Sequence, residues 1–342
     1  MQVGMKRKVY PQLDVVKFCM AFLVVLIHTE PFAIVRGNYF CALYDVVLRL
    51  AVPFYFMTSG FLLGNKCLLA DEASRNGMMK QAVVRNTRLY LIWSLIYLPA
   101  AIEGYIQEGM SFTSGAMRYL ASLILVGEHF YSWPLWYLLA MIYGLIGIAV
   151  FCRKFGSKGT CLLSLGIFFV AHMIDGIYRE KTTATPVSML VGHMTEPLIV
   201  AGPARIMIGF FYMSAGWLLA EKKSIRWPLG VWTVLTIAAA LLSAWFRWWP
   251  VALVNHLCFF MLVLKLRVSL RENWGKAMRR SSTVIYFTHM LFFFIWYLMN
   301  GHQETKGIAG TVWTLGWSAV ACAIVLWSDR HERSQLWTKY LF

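Results

Sequence analysis

Lys17 and His28 are the pair in this sequence best spaced for chemistry. Eleven positions at ~100° each come within ~20° of three helical turns, so one helix face carries both, ~16 Å apart along the axis. Both lie in an apolar run, where an ionisable side chain is costly and marks a functional site by default. An imidazole accepts and returns a proton near neutral pH. Against a substrate hydroxyl, His28 would serve as a general base, or as a nucleophile that briefly carries a transferred group. Plainer readings stand beside these. Lys17 can snorkel its ammonium to the interface, and a neutral His28 can bridge helices as packing glue.

Other polar groups have readable spacings. Arg85 and Arg88 are three apart and share a helix face. Two guanidinium forks there suit a phosphate, although a basic link next to a span carries such residues anyway. Asp45 and Arg49 are spaced for an i,i+4 ion pair. An orienting role for Arg49 stays open, because it falls at about the depth of His28. Ser282, Tyr286 and His289 follow at intervals of four and three, hence on one face, and His256 sits beside Asn255 in another apolar run. These groups should face a bundle interior, as helix glue or as site residues. The run Trp133 to Tyr137, with Trp136 inside it, opens a span; an interfacial aromatic belt looks the same. Arg205 lies at the mouth of a later run.

The elements that must position these residues are membrane helices. Hydrophobic residues make up 59% of the 342 positions and charged residues 14%. A soluble domain carries about 25% charged residues, so this chain has too few to cover a globular surface. Its apolar runs approach the ~20 residues that cross a bilayer core, and backbone groups in lipid must pair within the segment, which selects helices. The expected fold is an all-α, polytopic transmembrane bundle of about ten spans. These are roughly 13–35, 43–64, 83–106, 133–152, 159–177, 203–220, 227–246, 248–267, 282–300 and 307–327, with a tight hairpin near Arg247 to Trp249. Segment 111–127 is apolar but short, and reads as interfacial or re-entrant. No internal repeat or separate soluble domain is visible, so residues 1–342 read as one integral-membrane domain.

Charge sidedness sets the orientation. With the N-terminus inside, 23 lysines and arginines fall in cytoplasmic segments and six in outer ones. That bias places both termini in the cytoplasm and the protein in the cell inner membrane as a multi-pass species. The net charge of +16 is spread in short clusters between apolar runs, which argues for a lipid bilayer as partner and against nucleic acid. The seven cysteines are scattered without a CxxC pair, so neither a metal site nor a disulfide framework is indicated. The first apolar run, interrupted by Lys17, reads as a retained span rather than a cleaved signal.

Taken together, these pieces resemble the bacterial acyltransferase-3 family of integral-membrane enzymes. Leu13-Asp14-Val15-Val16-Lys17 followed by His28 is similar to the family's first-helix pattern of a basic residue, ten positions, then His. Phe54 to Leu63, through Ser59-Gly60-Phe61, resembles its second-helix signature. Arg85-Asn86-Thr87-Arg88 matches its RxxR motif, and Trp133 to Tyr137 its tryptophan-rich opening. Arg205 through Phe210-Phe211-Tyr212 to Gly216 looks like a later helix, and Ser282, Tyr286 and His289 like the penultimate one. The resemblance implies O-acyl transfer, most often of acetyl, from cytoplasmic acetyl-CoA or another acyl-CoA to a hydroxyl of an envelope glycan or lipid-linked sugar. No permanently bound cofactor is implied. His28 and Lys17 would be catalytic. Arg85, Arg88, Arg49, Trp136, Arg205, Tyr286 and His289 would bind donor or acceptor. The chain ends soon after the last span, so transfer should finish within the bundle or on a partner. Two other classes fit part of the pattern: a transporter or flippase of an envelope precursor, and a non-catalytic membrane sensing domain.

Overall fold

The computed structural model describes residues 9–32, 39–179, 197–222, 227–303, 306–331, 338 and 340–342. The helices are α1 (Pro11–Thr29), α2 (Tyr39–Arg49), α3 (Ala51–Cys67), α4 (Glu72–Ile96), α5 (Leu98–Gln107), α6 (Phe112–Leu125), α7 (Trp136–Arg179), α8 (Pro197–Glu221), α9 (Leu229–Phe246), α10 (Trp249–Lys265), α11 (Glu272–Met299) and α12 (Ile308–Ser328). A single 3-10 turn, Trp133–Leu135, precedes α7, and no strand occurs among the described residues.

Six helical stretches are long and apolar enough to cross a bilayer, or seven if α4 and α5 form one span bent by 50°. The gap from the ten expected has physical sources. α7 counts once although it holds 44 residues. At 1.5 Å per residue it would run ~66 Å, about twice a ~30 Å hydrocarbon core. Its helix is interrupted at Gly156, where φ is 65° and ψ 176°. α10 has 17 residues, at the short end for a span. α8 starts beside residues outside the described set.

Local chemistry explains the other breaks. Pro99 supplies no N–H and its ring clashes with the preceding turn, so α4 stops and α5 restarts at a new angle. Pro53, in the first turn of α3, likewise supplies no N–H, yet α2 and α3 read as one stretch, Cys41–Cys67. Between α9 and α10 the chain reverses within two residues, with Arg247 left-handed (φ 49°) and its N–H donated to the Ser243 carbonyl at 3.0 Å. α6 lies with Phe112, Met117, Leu120 and Ile124 exposed and only Gly115 and Ser122 buried.

α1 is the central helix. It packs on α3, α10, α11 and α12. Its Leu13, Met20 and Val24 join a large core with Phe54 and Phe56 of α3, Met213 of α8 and Phe260 of α10. Its Ala21 and Val25 meet Val284 and Ile285 of α11 and Val325 of α12. A second large cluster joins Trp93 and Tyr97 of α4, Leu138 of α7 and Phe287 of α11. Leu341 and Phe342 lie against this cluster: Trp93 donates its indole N–H to the Leu341 carbonyl at 2.7 Å, and the Phe342 ring packs on Trp93. Apolar side chains on the outside, such as Val234, Trp245, Val312 and Ile324, are exposed as lipid-facing residues would be.

α3 and α8 approach backbone to backbone. A Cβ on Gly60 would sit 2.0 Å from the Met213 carbonyl oxygen, and one on Gly216 would sit 2.1 Å from that of Met57. Between membrane helices, where lipid is as apolar as Leu, such close van der Waals contact takes over the role of the hydrophobic effect. Gly60→Ala and Gly216→Ala are therefore expected to lower the thermal midpoint in detergent, each by the equivalent of roughly 1–3 kcal/mol of overpacking. Gly166→Ala, whose Cβ would meet nothing within 4 Å, should leave it unchanged or slightly higher. Equal midpoints in all three variants would contradict the contact.

Candidate active site

His28 occupies the last turn of α1. The helix stops because Pro31 cannot continue it and Glu30 turns left-handed (φ 41°), returning its N–H to the Leu26 carbonyl. The end is then fastened to α12: Gly307 N–H donates to the Thr29 carbonyl at 2.8 Å, and the Thr311 hydroxyl to the Thr29 hydroxyl at 2.7 Å. Against this fixed turn the His28 ring faces two others. Its centroid lies 5.4 Å from that of His289 and 6.0 Å from that of Trp133, nearly parallel to the latter. His289 is fully buried. Its Nδ1 lies 2.8 Å from the Ile285 carbonyl and, facing an acceptor, donates to it. That fixes the tautomer of the neutral ring and leaves Nε2 as a lone pair. Nε2 is buried with no hydrogen-bond partner among the described residues.

Below this pair runs a line of hydroxyls. The Tyr286 hydroxyl donates to the Pro134 carbonyl, fixing the turn that carries Trp133. The Tyr286 and Tyr137 rings lie 5.7 Å apart, and the Tyr137 hydroxyl is 3.4 Å from that of Ser59. Tyr55, with its ring 6.1 Å from Tyr137, donates to the Lys17 carbonyl at 2.6 Å. The Lys17 ammonium sits 5.9 Å from the Tyr55 ring centroid. Lys17, Tyr55, Tyr137, Tyr286 and His28 are surrounded by helices yet only half-buried. Close-packed core leaves no such accessible surface, so these side chains line an internal space. At its lower end Lys17 has Asp14, Arg85 and Arg279 as electrostatic neighbours, and Asp14 is ion-paired with Arg279.

At the upper end a loop closes over the site. Gly127 is left-handed (φ 81°), and a Cβ there would meet the Trp136 backbone at 2.8 Å. The Ser122 hydroxyl donates to the Glu128 carbonyl at 2.5 Å. This presents the Glu128 carboxylate to Arg205 at 2.5 Å, with the guanidinium 5.7 Å over the Trp136 ring. Arg205 and Lys306 are both electrostatic neighbours of His28. Lys306 is itself 3.0 Å from Glu30. Burial pushes the Glu128 carboxyl above its usual range, opposed by the Arg205 guanidinium. Next to it, His129 stacks on Tyr119 at 4.0 Å and meets the Tyr105 hydroxyl at 3.0 Å through Nδ1. Burial pushes the His129 imidazole down to about 4.

The profile of the acyltransferase-3 family, described as an acyltransferase domain, matches residues 10–329. The chain belongs to that family. Among curated proteins, an amino-acid racemase of Enterococcus faecalis is 28% identical over 166 residues, 48% of this chain and 23% of the relative. A serine/alanine racemase of Enterococcus gallinarum is 24% identical over 260 residues, 74% of this chain and 35% of the relative. The chain thus spans about a quarter to a third of the length of these relatives. No solved structure matches it.

The family's motif residues do not all converge. His28, His289, Trp133 and Tyr286 meet at one end of the internal space, with Arg205 and Trp136 beside them, and Lys17 and Arg85 meet at the other. Arg88 is turned to Tyr340, its guanidinium 5.1 Å over that ring. Asp45 and Arg49 form no ion pair; both are exposed on α2. Arg49 is instead an electrostatic neighbour of His256, whose Nδ1 lies 2.7 Å from the Tyr212 hydroxyl. That polar cluster belongs to α2, α8 and α10, away from the His28 turn. Sequence reading passed over Glu128, His129 and Arg279. Their partners lie 77, 24 and 265 positions away, and the only local cue was a Gly before Glu128 and His129.

His129 yields a pH test. Its ordinary pKa is 6.5 and its folded one about 4. Between those values the unfolded chain binds more protons, so stability falls as pH drops through that window. The loss from this group should be on the order of 2–3 kcal/mol. Thermal midpoints from pH 7 down to 4 are expected to fall less steeply in His129→Gln than in the wild type. Parallel curves would mean the ring does not stay neutral in the folded loop.

Proposed function

We propose that this protein transfers an acyl group, acetyl in the simplest case, from cytoplasmic acyl-CoA to a hydroxyl of an envelope glycan or a lipid-linked sugar. The observation that carries the reading is the His28–His289 pair at one end of an internal space whose other end holds Lys17 and Arg85. Phosphates of a cytoplasmic donor match the cationic end, with Arg85 of the RxxR motif at the mouth. A pantetheine arm running past Tyr55, Tyr137 and Tyr286 would bring the thioester to the histidines, ~16 Å from Lys17 along α1. His28 takes the proton of the acceptor hydroxyl as its oxygen bonds to the acyl carbon. The carbon–sulfur bond breaks, and the CoA thiolate recovers a proton. Arg205, held by Glu128, supplies positive charge near the oxyanion that forms between these events. A route through an acyl-His28 intermediate uses the same groups in two steps.

The proposal includes ten crossings with both termini in the cytoplasm and the inner membrane as location. The basic bias supports it, as do the length of α7 and its break at Gly156 beside Arg153, Lys154 and Lys158. Reporter fusions at Arg118 and Thr185 are expected to read outside, and a fusion after Lys154 inside. Reversal at two of these sites would remove the orientation, and with it the cytoplasmic donor.

His28→Gln keeps a hydrogen-bonding group of similar reach but cannot shuttle a proton. Transfer of radiolabelled acetyl from acetyl-CoA to envelope material is expected to fall by about 10²- to 10⁴-fold, while donor binding persists. Near-normal transfer by a stably folded His28→Gln protein would refute the catalytic assignment.

A further inference from the structure

The cationic end of the internal space holds one more group than the motifs name. Arg279 lies in the second turn of α11 and is ion-paired with Asp14 of α1. The Asp14 side chain is 8% exposed and that of Arg279 is 42% exposed. The carboxylate is thus sealed between the helices, while the guanidinium keeps much of its surface free. The pair lies against the α11 backbone one turn earlier, where a Cβ on Gly275 would be in ordinary van der Waals contact with Asp14 Oδ2 at 3.5 Å and Arg279 Nη1 at 3.6 Å. Arg279 is also an electrostatic neighbour of Lys17, as is Arg85. Lys17 of α1 thus has two cationic neighbours, Arg85 of α4 and Arg279 of α11, and one carboxylate, Asp14. Neither Lys17 nor Arg85 forms an ion pair in the structure, so the cluster carries an excess of two positive charges. Glu272, the nearest acid on α11, is taken by Lys276 at 2.7 Å.

An excess of two charges beneath an apolar bundle is expensive without an anion. One carboxylate would leave it half-satisfied; a diphosphate would neutralise it and offers acceptor oxygens to all three side chains. Lys is a point donor and Arg a planar fork, so the set suits an extended ligand with two linked phosphates.

Resting on the acyl-CoA reading, we infer that Arg279 is a donor-binding residue. With Lys17 and Arg85 it grips the diphosphate of coenzyme A, and Asp14 is the positioning residue that aims it. The arrangement also sets the direction of the bound donor. Asp14, Lys17 and His28 all ride on α1, so a diphosphate held at the first two is in register with the histidine pair. The nucleotide stays at the mouth and the pantetheine arm points inward. Asp14 has a second consequence. By neutralising one cation, it keeps the empty site from holding three uncompensated charges, which allows the product CoA to leave.

The test compares two donors that carry the same thioester, acetyl-CoA and the phosphate-free acetyl-pantetheine, on the full-length protein in nanodiscs. Wild type is expected to show a much lower KM for acetyl-CoA. Arg279→Gln should raise the KM for acetyl-CoA by roughly tenfold or more, the value of a lost charge-assisted contact, and leave that for acetyl-pantetheine unchanged. Because Arg279→Gln strands the buried Asp14 carboxylate, the paired variant Asp14→Asn, Arg279→Gln removes both charges and should show the same selective loss. Lys276→Gln, one turn away and paired with Glu272, should leave both donors as in wild type. An Arg279→Gln protein that still prefers acetyl-CoA as strongly as wild type would overturn the assignment. So would equal losses for both donors, which would mark Arg279 as structural. If wild type itself does not distinguish the donors, the acyl-CoA reading falls, and the role of Arg279 with it.

Discussion

The cost of keeping ionisable groups inside an apolar bundle governs this structure. Water solvates an ammonium or guanidinium at the surface, but within a membrane each needs a partner from another helix or an accessible interior. α1 carries Asp14, Lys17 and His28 through the middle of the protein, and the surrounding helices are arranged around those three. α11 answers Asp14 with Arg279. α3 brings Tyr55 under Lys17. α11 also brings His289 to His28, and α12 fastens the turn that holds it. The close contact of α3 with α8, possible only with Gly60 and Gly216 at the crossing, places Tyr55 and Ser59 on one wall of the space. It also places Arg205, about two turns along α8 from Met213, above it.

The sequence disclosed the parts of this arrangement that one helix can encode. The common face of Lys17 and His28 follows from a periodicity, and α1 runs unbroken through both. The shared face of Ser282, Tyr286 and His289 has the same origin on α11. The reversal at Arg247 and the break among Arg153, Lys154 and Lys158 were visible because charge and turn residues interrupt apolar runs there. Arg88 shows the limit. Periodicity puts it on the face of Arg85, but a long side chain chooses between neighbours that spacing does not reveal, and Tyr340 is one of them. Asp45 and Arg49 show it again: correct i,i+4 spacing created no ion pair where both side chains are exposed, as surface pairs contribute little.

Contacts across the chain were illegible for a different reason. Glu128 meets Arg205 only because Gly127 can turn left-handed and Ser122 can hold the Glu128 carbonyl. The pairing is thus a property of a loop conformation and of two helix packings at once. Buried carboxylates are uncommon unless paired, but neither the burial of Glu128 nor its partner is readable from the residues around it. The same holds for Arg279, whose Asp14 partner lies 265 positions away.

The two ends of the internal space make opposite demands on a proton. The lower end gathers fixed positive charge, which suits phosphate and repels a protonated base. The upper end pairs each cation with an acid, Arg205 with Glu128 and Lys306 with Glu30. The field on His28 is thereby softened without placing a carboxylate on the ring itself. His289 adds a lone pair rather than a charge, because the Ile285 carbonyl holds its only proton on Nδ1. A hydroxyl entering between the two rings therefore meets acceptors and no competing donor from His289. On the proposed acyl-transfer reading, that is the arrangement a base needs if it is to be neutral before the reaction and charged only while the carbon–sulfur bond breaks.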